Sequence, residues 1–296
     1  MSTVDPNSVS VAYFHSILLG AVAPRPIALA STIDTEGKVN LSPFSFFNAF
    51  SVDPPILIFS PSLRIRDNTS KHTLENVMEM PEVVINMVDY PIVEQMSLSS
   101  TEYDKGVNEF VKAGFSEVPS EKVTPPRVGE SPISFECRVV EIKPLGTKGG
   151  AGNLIICEVI LAHINDRILT EDQKIDPSKL ELVARMGGNW FTNSNSSTLF
   201  QIPKPIKSKG IGFDNLPDHI LKSTVLTGNQ LARLANIEKL PSKEEVDDVS
   251  SHLLLNKIIG TTDEKKEVLH RLGQKYIDMG DIELAWKILL YENDRQ

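Results

Sequence analysis

Ala23-Pro24-Arg25-Pro26-Ile27-Ala28-Leu29-Ala30-Ser31-Thr32 opens the part of the 296-residue sequence that decides the fold. Asn40-Leu41-Ser42-Pro43-Phe44-Ser45-Phe46-Phe47-Asn48 follows, then Asp53-Pro54-Pro55, a run to Ser60, and Lys71-His72-Thr73-Leu74-Glu75-Asn76-Val77. Residues 26–32 are short, apolar and rich in small side chains, and Thr35-Glu36-Gly37-Lys38 gives a polar turn before residues 39–42 resume the pattern. Residues 56–60 and 83–88 are further short runs whose length and β-branching favour strands over helices. Residues 133–142 and 154–164 flank Leu145-Gly146-Thr147-Lys148-Gly149-Gly150-Ala151-Gly152, which reads as the tip of a long hairpin. Residues 73–80, 92–98 and 107–113 read as short helices. Strands interrupted by short helices and turns predict a mainly β fold, a closed or split β-barrel, and not repeated βαβ units.

Composition bounds what this fold can do. The chain is 41% hydrophobic and 23% charged, ordinary for a soluble globular protein. Its formal net charge is -9 and it has no basic run, which argues against nucleic acid as a partner. No run of about 18 apolar residues predicts a membrane span. The polar residues 1–10 lack a signal-peptide pattern, so the expected compartment is the cytoplasm. Cys137 and Cys157 lie in strand-like runs and read as buried thiols, with a disulfide as the other option.

The character changes after about Ile202. Pro203, Lys204, Pro205, Lys207 and Lys209 form a stiff polar linker, and helix-favouring residues begin at Asn215. Ser242 with Glu245, and Thr261 with Glu264, fit capping boxes. Val246, Val249, Leu253 and Leu254 share one helical face, as do Val268, Leu269, Leu272 and Tyr276, and Ile282, Ala285, Trp286 and Leu289. Two domains are expected, residues 1–202 and an α-helical C-terminal extension, residues 203–296.

The Gly-rich segment 146–152 fails the spacing of a nucleotide loop, since no Gly-Lys-Ser/Thr ending and no G-x-G-x-x-G opening a helix is present. The six histidines show no metal-ligand spacing, so no zinc is expected. No local signature of a catalytic dyad or triad stands out either. The region 23–76 is richer, with hydroxyls, amides and cations beside aromatics. A flavin mononucleotide needs that mixture: donors for its phosphate, and flat apolar walls with backbone amides for its ring. Phe44, Phe46 and Phe47 equally suit a core, the Ser/Thr groups suit turn caps, and Arg64 and Arg66 suit a solvated loop.

These segments resemble the flavin reductase-like, FMN-binding split-barrel family. That group includes the small reductase components of two-component monooxygenases and flavoredoxin-type proteins. PRPIAL-ST, N-SPFSFFN, DPP and K-x-T-x-x-N carry the likeness, with Ser131-Pro132-Ile133-Ser134-Phe135-Glu136-Cys137 and Arg185-Met186-Gly187-Gly188-Asn189-Trp190-Phe191. His72 stands where the family more often has Asp, and Phe191 where Tyr is common. Gly210-Ile211-Gly212-Phe213-Asp214-Asn215-Leu216-Pro217 and Leu226-Thr227-Gly228-Asn229 look like the tail of longer members.

The resemblance implies an FMN-binding split β-barrel with short helices, working as a homodimer with the flavin near the subunit interface. It implies hydride transfer from NADH or NADPH to FMN, with no catalytic acid or base required, and an oxygenase as one class of partner. The phosphate is then expected near Ser62, Arg64, Arg66, Lys71 and Thr73, the last two in a helix first turn, with Ser60 a further cofactor-binding residue. The ring is expected against Thr32 and the Ser45-Phe46-Phe47-Asn48 segment, with Asn76 bracing the loop from behind and Trp190 or another aromatic as a wall for nicotinamide. The alternative is a non-enzymatic flavin binder or electron carrier whose helical tail docks a partner. A split-barrel oxidase of pyridoxine phosphate or a haem-degrading relative has less support, haem needing an axial ligand.

Overall fold

The computed structural model describes residues 1–202, 204, 209–252 and 262–291. The chain opens with a helix that the sequence reading did not assign, α1 (Val11–Ala21), capped by the Ser10 side chain on the Tyr13 amide. Short β1 (Arg25–Pro26) leads into β2 (Ala28–Ile33), β3 (Val39–Phe44), β4 (Phe47–Val52) and β5 (Pro55–Phe59). Helix α2 (His72–Glu79), β6 (Glu82–Met87), α3 (Val93–Ser99) and α4 (Glu109–Ala113) follow. The small pair β7 (Glu117–Val118) and β8 (Arg127–Val128) precedes the long hairpin β9 (Ile133–Pro144) and β10 (Asn153–Ile164). Helix α5 (Pro177–Leu180) and the hairpin β11 (Val183–Gly187) and β12 (Trp190–Asn193) complete a first compact unit, Met1–Phe200.

Seven strands form one sheet in the order β3-β2-β6-β9-β10-β5-β4, every pairing antiparallel. Its two edge strands, β3 and β4, are consecutive in the chain and separated only by Ser45 and Phe46. The ends of the sheet therefore return to one corner, which makes a barrel split along the β3/β4 seam. The motif at residues 40–48 spans this corner, and the strand expected over 39–42 extends to Phe44 before it.

Side-chain alternation explains the apolar run at residues 26–32. Ala28 and Ala30 face the barrel interior with Phe59, Val83, Ile85, Cys137, Ile155 and Cys157, and α2 adds Leu74 and Val77. Leu29 faces the other way, into a cluster with Ile27, Leu41 and Met96, Phe110 and Ala113 from α3 and α4. A strand covered on both faces reads as a near-continuous apolar run, which in β2 ends in the buried hydroxyls of Ser31 and Thr32. Buried Asn86 on β6 ties these layers together. Its amide donates to the Leu29 carbonyl at 3.0 Å, while its oxygen accepts from the Val128 amide at 3.0 Å and Ser134 Oγ at 2.7 Å. Both cysteines are buried and free, and burial raises both thiol pKa values, so neither is a ready nucleophile.

Helix α1 lies against β11. Gly187 there has φ +105°, and a Cβ on it would stand 3.1 Å from the Leu19 carbonyl oxygen, so both conformation and space require glycine. Arg25, buried in β1, donates to the Leu19 and Val22 carbonyls and so caps the C-terminal end of α1.

The second compact unit, Gln201–Gln296, is helical where described: α6 (Asp218–Leu221), α7 (Gly228–Ala235), α8 (Lys243–His252), α9 (Thr262–Met279) and α10 (Ile282–Leu290). Its core joins Ile220, Leu231, Leu234, Ile277, Ala285, Trp286 and Leu289. The Ser242–Glu245 capping box is present, with amide bonds of 3.3 and 2.7 Å. A second box, Thr227–Gln230, opens α7 and escaped the sequence reading. In α9 the expected stripe is corrected at one position. Leu269 is 3% exposed but Val268 is 46% exposed, because the buried face follows Leu269, Leu272 and Tyr276 and leaves Val268 at its edge. The Val249 side chain, Leu253, Leu254, Thr261 and the linker residues Pro203, Pro205 and Lys207 lie outside the described residues. No helix among the described residues is long and apolar enough to cross a membrane.

Candidate functional site

After Phe59 the chain leaves β5 and runs as a loop to α2. The β9–β10 hairpin tip holds this loop in place. Leu63 donates to the Ala151 carbonyl at 2.9 Å, Gly150 to the Leu63 carbonyl at 2.9 Å, and Asn153 to the Pro61 carbonyl at 3.0 Å. The Asn68 side chain adds a bond to the Thr147 carbonyl at 3.1 Å. A Cβ on Gly149 would stand 2.9 Å from both the Arg64 carbonyl oxygen and the Ile65 Cα, so only glycine lets the two backbones touch. The Gly-rich segment is a hairpin tip, and it supports the loop that carries Arg64 and Arg66.

That loop borders a cleft of about 480 Å³, lined by Phe46, Ser62, Leu63, Arg64, Ile65, Arg66, Lys71, Glu102 and Gly150, with Val11 and His15 from α1. Three cations converge in it on one carboxylate. Glu102 Oε1 lies 3.2 Å from Arg64 Nε and 3.3 Å from Lys71 Nζ, and Oε2 lies 2.9 Å from Arg66 Nη2. Hydrogen bonds from Arg64 and then Lys71 hold the Glu102 carboxyl below its usual range. The three cations differ in exposure, the Arg64 side chain at 14%, Lys71 at 34% and Arg66 at 69%. Arg64 is also fixed from behind by Thr69 Oγ1 at 2.9 Å and by the Ser70 carbonyl. Beside Arg66, hydrogen bonds from Thr69 and Arg66 pull Asp67 down to about 2. Lys71 is the N-cap of α2 and makes no capping bond, which leaves the positive end of the helix facing this cluster. The cleft therefore combines three cations with the apolar side chains of Phe46, Ile65 and Val11.

Five of the expected cofactor residues line this cleft: Phe46, Ser62, Arg64, Arg66 and Lys71. Ser45 turns into a neighbouring cleft of about 250 Å³, with Ser97, Ser100, Arg185 and Phe191 among its lining. Arg185 lies 4.6 Å from the centre of the Phe191 ring. Phe47 packs on the barrel interior, and Asn48 is exposed and accepts from the Ala49 amide. Ser60 is 9% exposed, with an unpartnered Oγ close to Gly152.

Four expectations are corrected or refined. Thr32, expected against a ring, is fully buried, because it continues the inward face of Ala28 and Ala30 beneath α2. Its Oγ1 accepts from Asn76 at 3.2 Å, so the Asn76 side chain joins α2 to β2 where a brace on the loop was expected. The Thr73 hydroxyl is likewise buried, accepting from Asn40 at 2.9 Å; only its backbone belongs to the helix end. Trp190, expected as a wall, is 78% exposed and lines neither cleft, since strand alternation turns Phe191 inward in its place. The sequence reading missed Glu102, Val11 and His15. Only pairing across the chain brings them here, and no spacing signals it.

Comparison with known proteins gives consistent results. The family model described as "Flavin reductase like domain" matches residues 20–177. An uncharacterized protein from Halalkalibacterium halodurans is 36% identical over 208 residues, which cover 98% of that protein and 70% of this chain. Component B of nitrilotriacetate monooxygenase from Bacillus cereus superposes with TM-score 0.63 at 24% identity, covering 98% of that chain and 69% of this one. The Pseudomonas fluorescens 2-nitrobenzoate 2-nitroreductase NbaA does so with TM-score 0.61 at 25% identity, covering all of that chain and 71% of this one.

Proposed function

This chain belongs to the flavin reductase-like domain family, and we propose that it binds FMN in the cleft at the start of α2 and serves as an NAD(P)H-dependent flavin oxidoreductase. The observation that carries the reading is the convergence of Arg64, Arg66 and Lys71 at an uncapped helix N-terminus beside Phe46. A phosphate monoester carries close to two negative charges at neutral pH, and this donor set suits it. Arg64 is rigidly placed by Thr69 and Ser70, so it orients the phosphate; Lys71 and the more exposed Arg66 complete the charge. Ser62 adds a hydroxyl, and Phe46 with Ile65 and Val11 gives the ring an apolar face. When bound, FMN supplies the hydride-accepting chemistry, and NADH or NADPH is the reductant in this reading. The smaller cleft across the Ser45–Phe46 corner, with Arg185 and Phe191, is a place for a second reactant.

The proposal extends to the whole chain. Residues 1–202 form the flavin domain and residues 203–296 an extension with its own core. The protein works as a homodimer, supported by α1, an apolar helix with no buried residue that leaves Tyr13 and Leu18 exposed. Two free thiols suit the reducing cytoplasm, and an oxygenase is a fitting consumer of reduced flavin. The test is an absorption spectrum of the purified protein under anaerobic conditions, before and after NADH. A yellow protein that bleaches supports the reductase. A yellow protein that does not bleach is an electron carrier instead, and a protein that takes up no flavin ends both readings.

A further inference from the structure

We propose that Glu102 is an internal occupant of the anion site, whose carboxylate holds the place of the flavin phosphate and must swing out when FMN binds. The inference rests on the FMN reading above and adds the residue that sets how tightly FMN is held. Both Glu102 oxygens are used, and between them they touch all three cations of the cleft. Nothing local in the chain requires this, since Glu102 lies 38 residues from Arg64 in sequence.

The segment that delivers Glu102 is built as a strap. Its ends are fixed: Ser99 is 1% exposed, and Glu109 is 3% exposed with its carboxylate accepting from the Leu41 amide at 2.9 Å. Between them residues 100–102 and 104–106 are exposed, and Gly106 turns the chain at φ +87°. Two residues of the strap hold it down by ion pairs to α2 and its approach, Glu102 on the three cations and Lys105 on Glu75 at 3.0 Å. The Glu102 side chain is 40% exposed, so it can leave without opening the core.

Charge decides the contest. A carboxylate offers one charge and two oxygens; a phosphate monoester offers nearly two charges and three oxygens, so it wins the three cations. It wins against a standing competitor, however, and FMN is held less tightly than the cations alone would hold it. Riboflavin has no phosphate and does not enter the contest.

The experiment titrates the full-length protein and its Glu102→Gln variant with FMN and with riboflavin at low ionic strength, where ion pairs are least screened. Glutamine keeps the size and removes the charge, and Glu102→Ala repeats the test without the side chain. The expected result is FMN bound about fivefold more tightly, or better, by both variants, the scale set by a partly exposed ion-pair network. Riboflavin affinity stays unchanged. FMN uptake by the variants alone supports the inference more strongly still. Equal or weaker FMN binding by the variants overturns the inference and leaves the FMN reading intact, Glu102 then serving to pre-arrange the cations. An equal gain for riboflavin also overturns it, since the effect would not pass through the phosphate. No flavin uptake by any of the three proteins overturns the FMN reading and this inference together.

Discussion

Replacing Lys71 by alanine removes one of the three cations from the cleft without touching the barrel core. Lys71 Nζ meets Glu102 at 3.3 Å, and its side chain is 34% exposed. An ion pair so placed adds little to folding, so the thermal midpoint of Lys71→Ala stays close to that of the parent. The cost falls on the ligand. A charge-assisted hydrogen bond to phosphate contributes roughly 1.5–3 kcal/mol, which raises the Kd for FMN about 10- to 150-fold. Partial exposure places the effect toward the lower end of that range. Arg66 supplies the internal comparison. Its side chain is 69% exposed and it already pairs with Asp67 at 3.0 Å, so Arg66→Ala weakens FMN by only a few-fold. Quenching of FMN fluorescence on titration reads both constants, with riboflavin as the phosphate-free control. An unchanged Kd for Lys71→Ala moves the phosphate site elsewhere. A larger loss in Arg66→Ala than in Lys71→Ala refutes the ranking by exposure, and a parallel loss of riboflavin binding shows that the lysine does not act on the phosphate.

Gly149→Ala forces the hairpin tip away from the Arg64–Ile65 backbone, which a Cβ would approach to 2.9 Å. Overpacking of this kind costs about 1–3 kcal/mol, and FMN affinity falls although no charge is lost; full retention of affinity in the same titration contradicts the supporting role of the tip. In the helical unit, burial and then the His219 charge lower His270 to about 4 from 6.5, so it is neutral in the fold while the unfolded chain takes up a proton. Stability of that unit therefore falls as pH drops from 6.5 toward 4, by roughly 1.4 kcal/mol per unit. Fluorescence of Trp286, buried in the same unit, follows this in a Trp190→Phe background, and a midpoint that does not move between pH 7 and 5 counts against it. A chain ending at Gln201 keeps every cleft residue and the barrel clusters, so it retains FMN; a folded truncate that binds none shows that the extension contributes to the site.

The strands and the change to helix beyond the barrel were legible in the sequence because each rests on local periodicity and turn chemistry. Residues 26–32, 56–60, 133–142 and 154–164 read as strands and hold β2, β5, β9 and β10, and the Gly-rich tip read as a hairpin is one. Motif order pointed to the family, and with it to Arg64, Arg66 and Lys71. Helix α1 was not read. Its apolar residues lie all round it, Tyr13 and Leu18 exposed beside half-buried Phe14 and Ile17, and so trace no one-sided stripe for periodicity to find.

Only the tertiary structure decided which hydroxyls face the cleft. Thr32 and Thr73 belong to a motif in sequence, but strand alternation and helix packing turn both hydroxyls toward each other's neighbours, Asn76 and Asn40, beneath α2. Only the tertiary structure, likewise, set Phe191 inward and Trp190 outward. Glu102 marks the limit of reading along the chain. A lone glutamate in a polar segment carries no local signal. It acquires its place because two buried ends bring a strap from the far side of α3 onto three cations supplied by another loop.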